Sequence, residues 1–252
     1  FEPISWEEAL ATVYEKFSAI IEQYGPQAIT PLNYAGPHGM LAGGSVDLRF
    51  FHKMGASLLA RRPMCGGVKG EAFMGTFGAS PAMQPEQVVH AKLIVVWGNN
   101  VTYSNLHLAP LIKKAKATGA KLVVVDPKKI KIAEQADMHL APNPGTDIIL
   151  AFAIASELKR LGALDDEFIA AHVKGADEFM AEAGKYTIAE ASDICGVSAQ
   201  DIQEFAQLYQ ASNPAVICAG NGLERNKNGG NGLRAIYALA ALANKFGVKG
   251  GG

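Results

Sequence analysis

Apolar positions along this chain fall into two patterns, helical spacing and short unbroken runs, and their order predicts an α/β protein. Leu10, Val13, Tyr14, Phe17, Ile20 and Ile21 keep helical spacing. Ser5 and Glu8 precede them as a capping-box pair, and Gly25-Pro26 ends the run. Ala28 to Leu32 predicts a short strand, Gly36-Pro37 and His38-Gly39 predict turns, and Val46 to Met54 predicts a second helix. Residues 61–78 are glycine-rich and irregular, with a helix starting near Lys69.

The clearest unit follows. Lys92 to Trp97 is a continuous apolar run, as expected of a strand buried on both faces. After the turn Gly98-Asn99-Asn100, Leu106 to Ala117 predicts a helix closed by Gly119, and Lys121 to Val125 a second buried strand. A strand–helix–strand of this length implies a right-handed crossover and a parallel pair. Met138 to Leu140 predicts a third strand, and Thr146 caps a helix running to about Leu161. Further helices start near Asp165, Lys174, Thr187 and Ser198, before a late strand at Pro214 to Cys218 and a final helix from Gly230 to Lys245. The fold class is doubly wound α/β, with a mostly parallel sheet flanked by helices and a helical insertion before the last strand. Residues 1–60 are expected to be a partial α/β segment of a neighbouring domain, and 61–252 a Rossmann-like dinucleotide-binding domain.

Composition narrows the partners. A formal net charge of −1 gives no reason to expect nucleic acid or an anionic membrane, and no apolar run reaches the roughly 20 residues of a bilayer span. Cys65, Cys195 and Cys218 are too far apart for a disulfide framework or a self-contained zinc or iron–sulfur site. They leave the compartment, periplasmic or cytoplasmic, open. The start at Phe1-Glu2-Pro3 carries no signal-peptide pattern and is expected to be a cut inside a longer chain.

In open parallel sheets, ligands bind beyond the carboxyl ends of the strands. Four polar or glycine clusters fall at such places. Gly98-Asn99-Asn100 leaves the first strand, where glycine permits close approach and the amides offer donors and acceptors. Asp126-Pro127-Lys128 leaves the next, with a carboxylate for ribose hydroxyls and an ammonium for phosphate. Pro144-Gly145-Thr146-Asp147 opens a helix, whose free N–H groups favour anions. Asp147 serves there either as a first-turn carboxylate on the helix dipole or as a reader of guanine, whose N1–H and N2–H₂ present two donors on one edge. Gly220-Asn221-Gly222, with Glu224-Arg225, leaves the last strand. Each cluster alone reads equally well as an ordinary turn.

Their order resembles that of the molybdopterin oxidoreductases of the dimethyl sulfoxide reductase family. Ile4 to Leu10 resembles the family's I-S-W-(D/E)-E-A-L, and Ala91 to Asn100 its strand ending in G-x-N. Gly119 to Lys128 is similar to G-A-K-x-x-x-x-D-P-R, and Ala136 to Asp147 to A-D-x-x-L-x-x-x-P-G-T-D. Gly220 to Gly252 is similar to the family's glycine-punctuated ending. Lys128 replaces the usual arginine and its bidentate fork, and Asn244-Lys245-Phe246-Gly247 replaces the common T-G-N-x-G.

The resemblance implies a bis-molybdopterin guanine dinucleotide cofactor carrying molybdenum or tungsten. Gly98, Asn99, Asn100, Asp126, Pro127, Lys128, Gly145, Thr146 and Asp147 would line the nucleotide side of one pterin dinucleotide, with Gly222 and Glu224 nearer the metal. Cys65 lies 33 positions before Gly98, near where the family carries its protein ligand to the metal. A lone cysteine ordinarily reads as buried packing; the family position makes Cys65 the expected metal ligand and catalytic residue, its thiolate suited to molybdenum. A cysteine ligand argues against serine- and aspartate-ligated members and leaves periplasmic nitrate reductases, polysulfide or thiosulfate reductases and acetylene hydratase. Formate dehydrogenases typically follow the ligand with histidine, whereas Gly66 follows here.

The activity implied is two-electron oxidation–reduction or oxygen- or sulfur-atom transfer on a small-molecule substrate. The implied partners are the remaining domains of the same polypeptide and an iron–sulfur electron-transfer subunit, with a four-iron–four-sulfur cluster in an N-terminal region outside this chain. On its own, the chain is expected to be inactive and largely free of metal. A rival from another class is a scaffold and electron-transfer subunit like the large iron–sulfur subunit of respiratory complex I. A simple dinucleotide-binding domain lacks support, because no G-x-G-x-x-G follows the first buried strand.

Overall fold

Three mainly aliphatic runs and the short segment Met138-His139-Leu140 build the sheet in a computed structural model that describes residues 1–32, 46–59, 66–78 and 82–252. The strands are β1 (Leu93–Trp97), β2 (Lys121–Val125), β3 (Met138–Leu140) and β4 (Ala215–Ala219). Their order is β3-β2-β1-β4 and every neighbouring pair is parallel. The progression β1, β2, β3 runs one way across the sheet while β4 lies on the other side of β1. The strand order therefore reverses between β1 and β4, the place where open α/β sheets form their ligand crevice.

β1 explains why its sequence shows no alternation. Leu93, Val95 and Trp97 pack into one apolar layer with Val123 and Val125, while Ile94 and Val96 pack into the opposite layer with Leu122 and Val124. Helices cover both layers. The first layer receives α6 (Asp147–Arg160), α9 (Ile188–Cys195), α10 (Ala199–Ala211) and α11 (Gly229–Leu242). The second receives α5 (Leu108–Ala117). The insertion between α6 and β4 is helical as expected, and α7 (Asp166–His172) and α8 (Ala176–Ala183) complete it. Thr187 and Glu190 form a reciprocal capping box at the start of α9.

The chain divides into two compact units, residues 1–62 and 63–252. The first contains α1 (Trp6–Tyr24) and α2 (Val46–Met54), both at their expected places, with Ser5 Oγ accepting from Glu8 N. The strand expected over 28–32 does not form. Pro26–Ala28 is a 3-10 turn, and Ile29 is extended, its carbonyl accepting from Ser57 N and its N–H donating back to Pro26 O. Apolar β-branched residues give extended backbone, but a strand also needs a ladder partner, and the described residues supply none.

Smaller differences have local causes. The irregular stretch becomes the helix α3 (Gly67–Phe77), starting two residues earlier than expected, and the turn after β1 contains a one-turn helix, α4 (Val101–Ser104). Pro85–His90 and Lys131–Gln135 are 3-10 segments that periodicity could not separate from loop. Thr146 stands before α6 without capping it through its side chain; the hydroxyl instead donates to Asn143 O at 2.7 Å. The expected turns at 36–39 and Cys65 itself lie outside the described residues. Among the described residues no helix is long and apolar enough to cross a membrane.

Asp137, from the A-D-x-x-L stretch, ties the β2–β3 edge together. Its carboxylate accepts from Leu122 N, Lys116 Nζ and Lys121 Nζ at 2.8 to 2.9 Å. Burial pushes this carboxyl upward, but the three donors outweigh it and hold it well below the usual carboxylate range. A carboxyl depressed in the fold contributes stability that is complete above its unfolded value, about 3.9, and is lost as pH falls toward the folded value. Asp137→Asn should therefore cost about 1–2 kcal/mol at pH 7 and much less at about pH 2, well below the unfolded value. Denaturant unfolding at both pH values checks this; an equal cost at both would mean that the charge is immaterial.

Candidate functional site

The carboxyl ends of β1 and β4 meet through backbone alone. Gly220 N donates to Trp97 O at 2.8 Å, and Gly222 N donates to Gly98 O at 3.1 Å. A Cβ at Gly220 would lie 2.2 Å from Gly98 O, and one at Gly222 would lie 2.9 Å from the same atom. Gly98 itself has φ +58 and presses on Leu223. At this crossing, what the glycines allow to approach is the other loop's backbone. The loop 220–224 is thereby fixed against the end of β1.

Beside the crossing stand the nucleotide-side candidates. Trp97, fully buried at the end of β1, donates from Nε1 to Asp147 Oδ1 at 2.8 Å. Asp147 opens α6, so its carboxylate also meets the positive end of the helix dipole. Burial raises the Asp147 carboxyl above its ordinary value; the Trp97 N–H opposes that rise and the nearby Asp126 charge adds to it. Asp126 Oδ1 accepts from Lys128 N at 2.9 Å, an Asx turn that leaves the Pro127 and Lys128 side chains exposed. Asn100 stands before α4, its Oδ1 accepting from Thr102 Oγ1, and Asn99 lines an apolar cleft of about 270 Å³ with Phe73, Phe77, Cys218 and Tyr237. Gly145 has φ +86 and is exposed, and a Cβ there would meet nothing closer than Asn226 at 3.9 Å.

The remaining candidate, Glu224, turns toward α3. Its side chain is buried at 8% exposure; Oε1 accepts from Gly66 N at 2.6 Å and Oε2 from Lys69 N at 2.8 Å. Lys69 Nζ in turn donates to Asn221 Oδ1 at 2.7 Å. Gly66, with φ +74, cannot cap α3 by itself, and Glu224 supplies the missing acceptors from 158 residues away.

Sequence reasoning missed Trp97 and Lys69. A tryptophan at the end of a buried strand does carry a signal, because its N–H needs a partner once buried. Nothing in the sequence pairs Lys69 with Asn221. Cys195 packs in the first apolar layer, and burial pushes the Cys218 thiol up to about 12, consistent with both being structural. His139 Nε2 is bonded to Asp126 O, and among the described residues no three histidine, cysteine or acidic side chains converge as a metal site.

The family model for molybdopterin oxidoreductase matches residues 1–252. The chain belongs to that family. A probable oxidoreductase of Bacillus subtilis, YoaE, is 35% identical over all of this chain and 37% of its own length. Formate dehydrogenase H of Escherichia coli is 30% identical over 98% of this chain and 35% of its own. The solved structure of acetylene hydratase from Pelobacter acetylenicus is similar with a TM-score of 0.73 at 27% identity, covering 98% of this chain and 33% of that one. The chain thus spans about a third of the length of the relatives it matches. Membership in the molybdopterin oxidoreductases agrees with the resemblance drawn from the four clusters, and the solved relative with the parallel sheet and its flanking helices.

The Trp97–Asp147 bond is testable in the protein without cofactor. Trp97→Phe keeps an aromatic ring but removes the N–H, and should cost about 2–4 kcal/mol at pH 7. A carboxyl raised in the fold loses stability as pH rises from its unfolded value to its folded one. Removing the donor widens that window, so the cost of the substitution should be smaller at pH 3, where Asp147 is protonated, than at pH 7. Equal losses at both pH values, measured by thermal or denaturant unfolding, would reduce Trp97 to packing alone.

Proposed function

We propose that this chain is the cofactor-holding part of the catalytic subunit of a molybdenum or tungsten oxidoreductase. In this reading residues 61–252 form the domain that binds one dinucleotide of a bis-molybdopterin guanine dinucleotide cofactor, and residues 1–60 belong to a neighbouring domain. The observation that carries it is the grouping of Asp147, Asp126 and the 98–100 loop at the strand-order reversal, with Glu224 reaching from the same sheet edge to the residue after Cys65.

The residues fit such a group in their donor and acceptor chemistry. Asp147 has one oxygen engaged by Trp97, and a carboxylate at that helix start is the acceptor that guanine's N1–H and N2–H₂ require. Asp126 can accept from ribose hydroxyls with the oxygen not used by Lys128 N, and the exposed Lys128 ammonium can meet phosphate as a point charge. Gly145 leaves open space beside the same helix start. On the metal side Cys65 supplies a thiolate, which metal binding keeps deprotonated. The cofactor, when bound, supplies two-electron redox chemistry and a site for oxygen- or sulfur-atom transfer, while the protein orients it and shapes access to it. A four-iron–four-sulfur cluster and an iron–sulfur partner subunit would carry electrons, and both lie outside this chain.

In the full-length protein Cys65→Ala should abolish most turnover while leaving the fold intact. Near-normal activity with an unchanged metal spectrum would remove Cys65 from the ligand set. Asp147→Asn tests the base. The Trp97 N–H holds the remaining carbonyl oxygen, which turns the new amide N–H₂ toward guanine's own donors. The mismatch should lower guanine dinucleotide occupancy about tenfold, within the roughly 1–3 kcal/mol of an unpaired buried polar group. Nucleotide release and quantitation provide the readout. Unchanged occupancy would leave Asp147 as a helix-start carboxylate only.

A further inference from the structure

Glu224 entered the sequence reading as a residue near the metal, but both of its carboxylate oxygens are committed to backbone. They accept from Gly66 N, at the residue before α3, and from Lys69 N, an open N–H group of its first turn. The usual source of such acceptors is a serine, threonine, aspartate or asparagine immediately before the helix. Here that position is Gly66, with no side chain and no cap of its own. The direction in which the chain enters α3 is therefore set by a side chain on the loop after β4.

That loop is itself rigidly held. Its start is bonded to β1 by Gly220 N and Gly222 N, at distances only glycine permits. Its end is equally tight, since a Cβ at Gly229 would lie 2.5 Å from Leu223 O and 2.7 Å from Glu224 Cα. Asn221 Oδ1 adds a second tie to α3 through Lys69 Nζ. α3 then packs on α11, where Phe73 and Tyr237 meet edge to face at 5.1 Å and Val68 lies 3.3 Å from the place of a Cβ on Gly230. The start of α3 is thus tied to the sheet's carboxyl edge through both backbone and side chain. Gly66 is bonded through its peptide to residue 65.

We propose that Glu224 is a positioning residue for the metal site: it touches neither metal nor substrate, but holds Gly66 and Lys69 by their backbone N–H groups, and Gly66 is the residue that follows Cys65 in the chain. This rests on the reading of Cys65 as the metal ligand. A group that only capped α3 would affect stability. One that aims a ligand must also affect the metal.

The test uses the full-length holoenzyme with Glu224→Gln, Glu224→Ala and Cys65→Ala. Glu224→Gln keeps length and one carbonyl acceptor but sets an amide N–H₂ against one of the two backbone donors. Because it retains half of the clamp, it serves if the alanine variant does not fold. Hydrogen exchange at the Gly66 and Lys69 amides should accelerate in both Glu224 variants, more in the alanine. The metal's X-ray absorption or paramagnetic spectrum should shift from the parent toward that of Cys65→Ala. kcat should fall about tenfold or more with KM little changed, the range seen when groups that orient metal ligands are altered. Faster exchange at these amides with an unchanged metal spectrum and kcat would overturn the proposal and leave Glu224 a helix cap. If Cys65→Ala itself leaves the metal spectrum unchanged, the reading of Cys65 fails and the proposal with it. The two failures are distinguished by which variant is silent.

Discussion

The whole carboxyl edge of the sheet depends on one backbone crossing, where the loops leaving β1 and β4 bond to each other through Gly220 N to Trp97 O and Gly222 N to Gly98 O. Hydrogen bonds of this kind add little net stability each, about 0.5–1.5 kcal/mol. Their importance is geometric. At a strand-order reversal two loops normally diverge and open a crevice; here they are held together at their roots, so their tips carry polar groups at fixed separations. Trp97 lies at one root, with its indole aimed at Asp147, and Glu224 follows the other, with its carboxylate aimed at α3. A side chain at Gly98, Gly220 or Gly222 would separate the roots, and both groups would move.

Three acidic side chains, Asp137 at the sheet's amino edge and Asp147 and Glu224 near its carboxyl edge, show how environment assigns roles. Asp137 has three donors, two of them ammonium groups, and is held low; it is a structural anion that joins β2 to the segment before β3. Asp147 has one neutral indole donor, a helix start and the Asp126 charge nearby, and is raised. Glu224 uses both oxygens on backbone N–H groups and is mostly removed from solvent. Residue type alone would treat the three alike, and only their partners separate them.

That distinction also marks what was legible in the sequence. β1 and β2 were readable because strands buried on both faces leave an unbroken apolar run, and the structure sends their alternate residues into two separate layers. The cap at Ser5 and Glu8 was readable because both partners lie within four residues. The stretch 28–32 looked equally strand-like and failed, because extended propensity is local whereas a ladder partner is not. Site residues divide along the same line. The four clusters announce themselves by position after strands, and family resemblance gave them an order. The Trp97–Asp147 bond spans 50 residues and the Glu224 clamp 158, distances over which no periodicity carries information.

Those two spans also differ in how the fold can build them. Trp97 and Asp147 are joined by β1, α5, β2 and β3, a succession of parallel crossovers in which each strand pairs with the one before it. Each of those pairings closes a shorter loop than the pairing of β1 with β4 does. The Glu224 clamp must wait for β4, which pairs with β1 only after the helical insertion has been accommodated. The side proposed to read the nucleotide is therefore assembled from consecutive elements, whereas the side proposed to aim the metal ligand depends on the most distant pairing in the sheet. The insertion nonetheless reaches both sides: Asn143 N, four residues before Asp147, donates to Cys195 O of α9 at 2.7 Å, and the same insertion delivers β4 and with it the loop that carries Glu224.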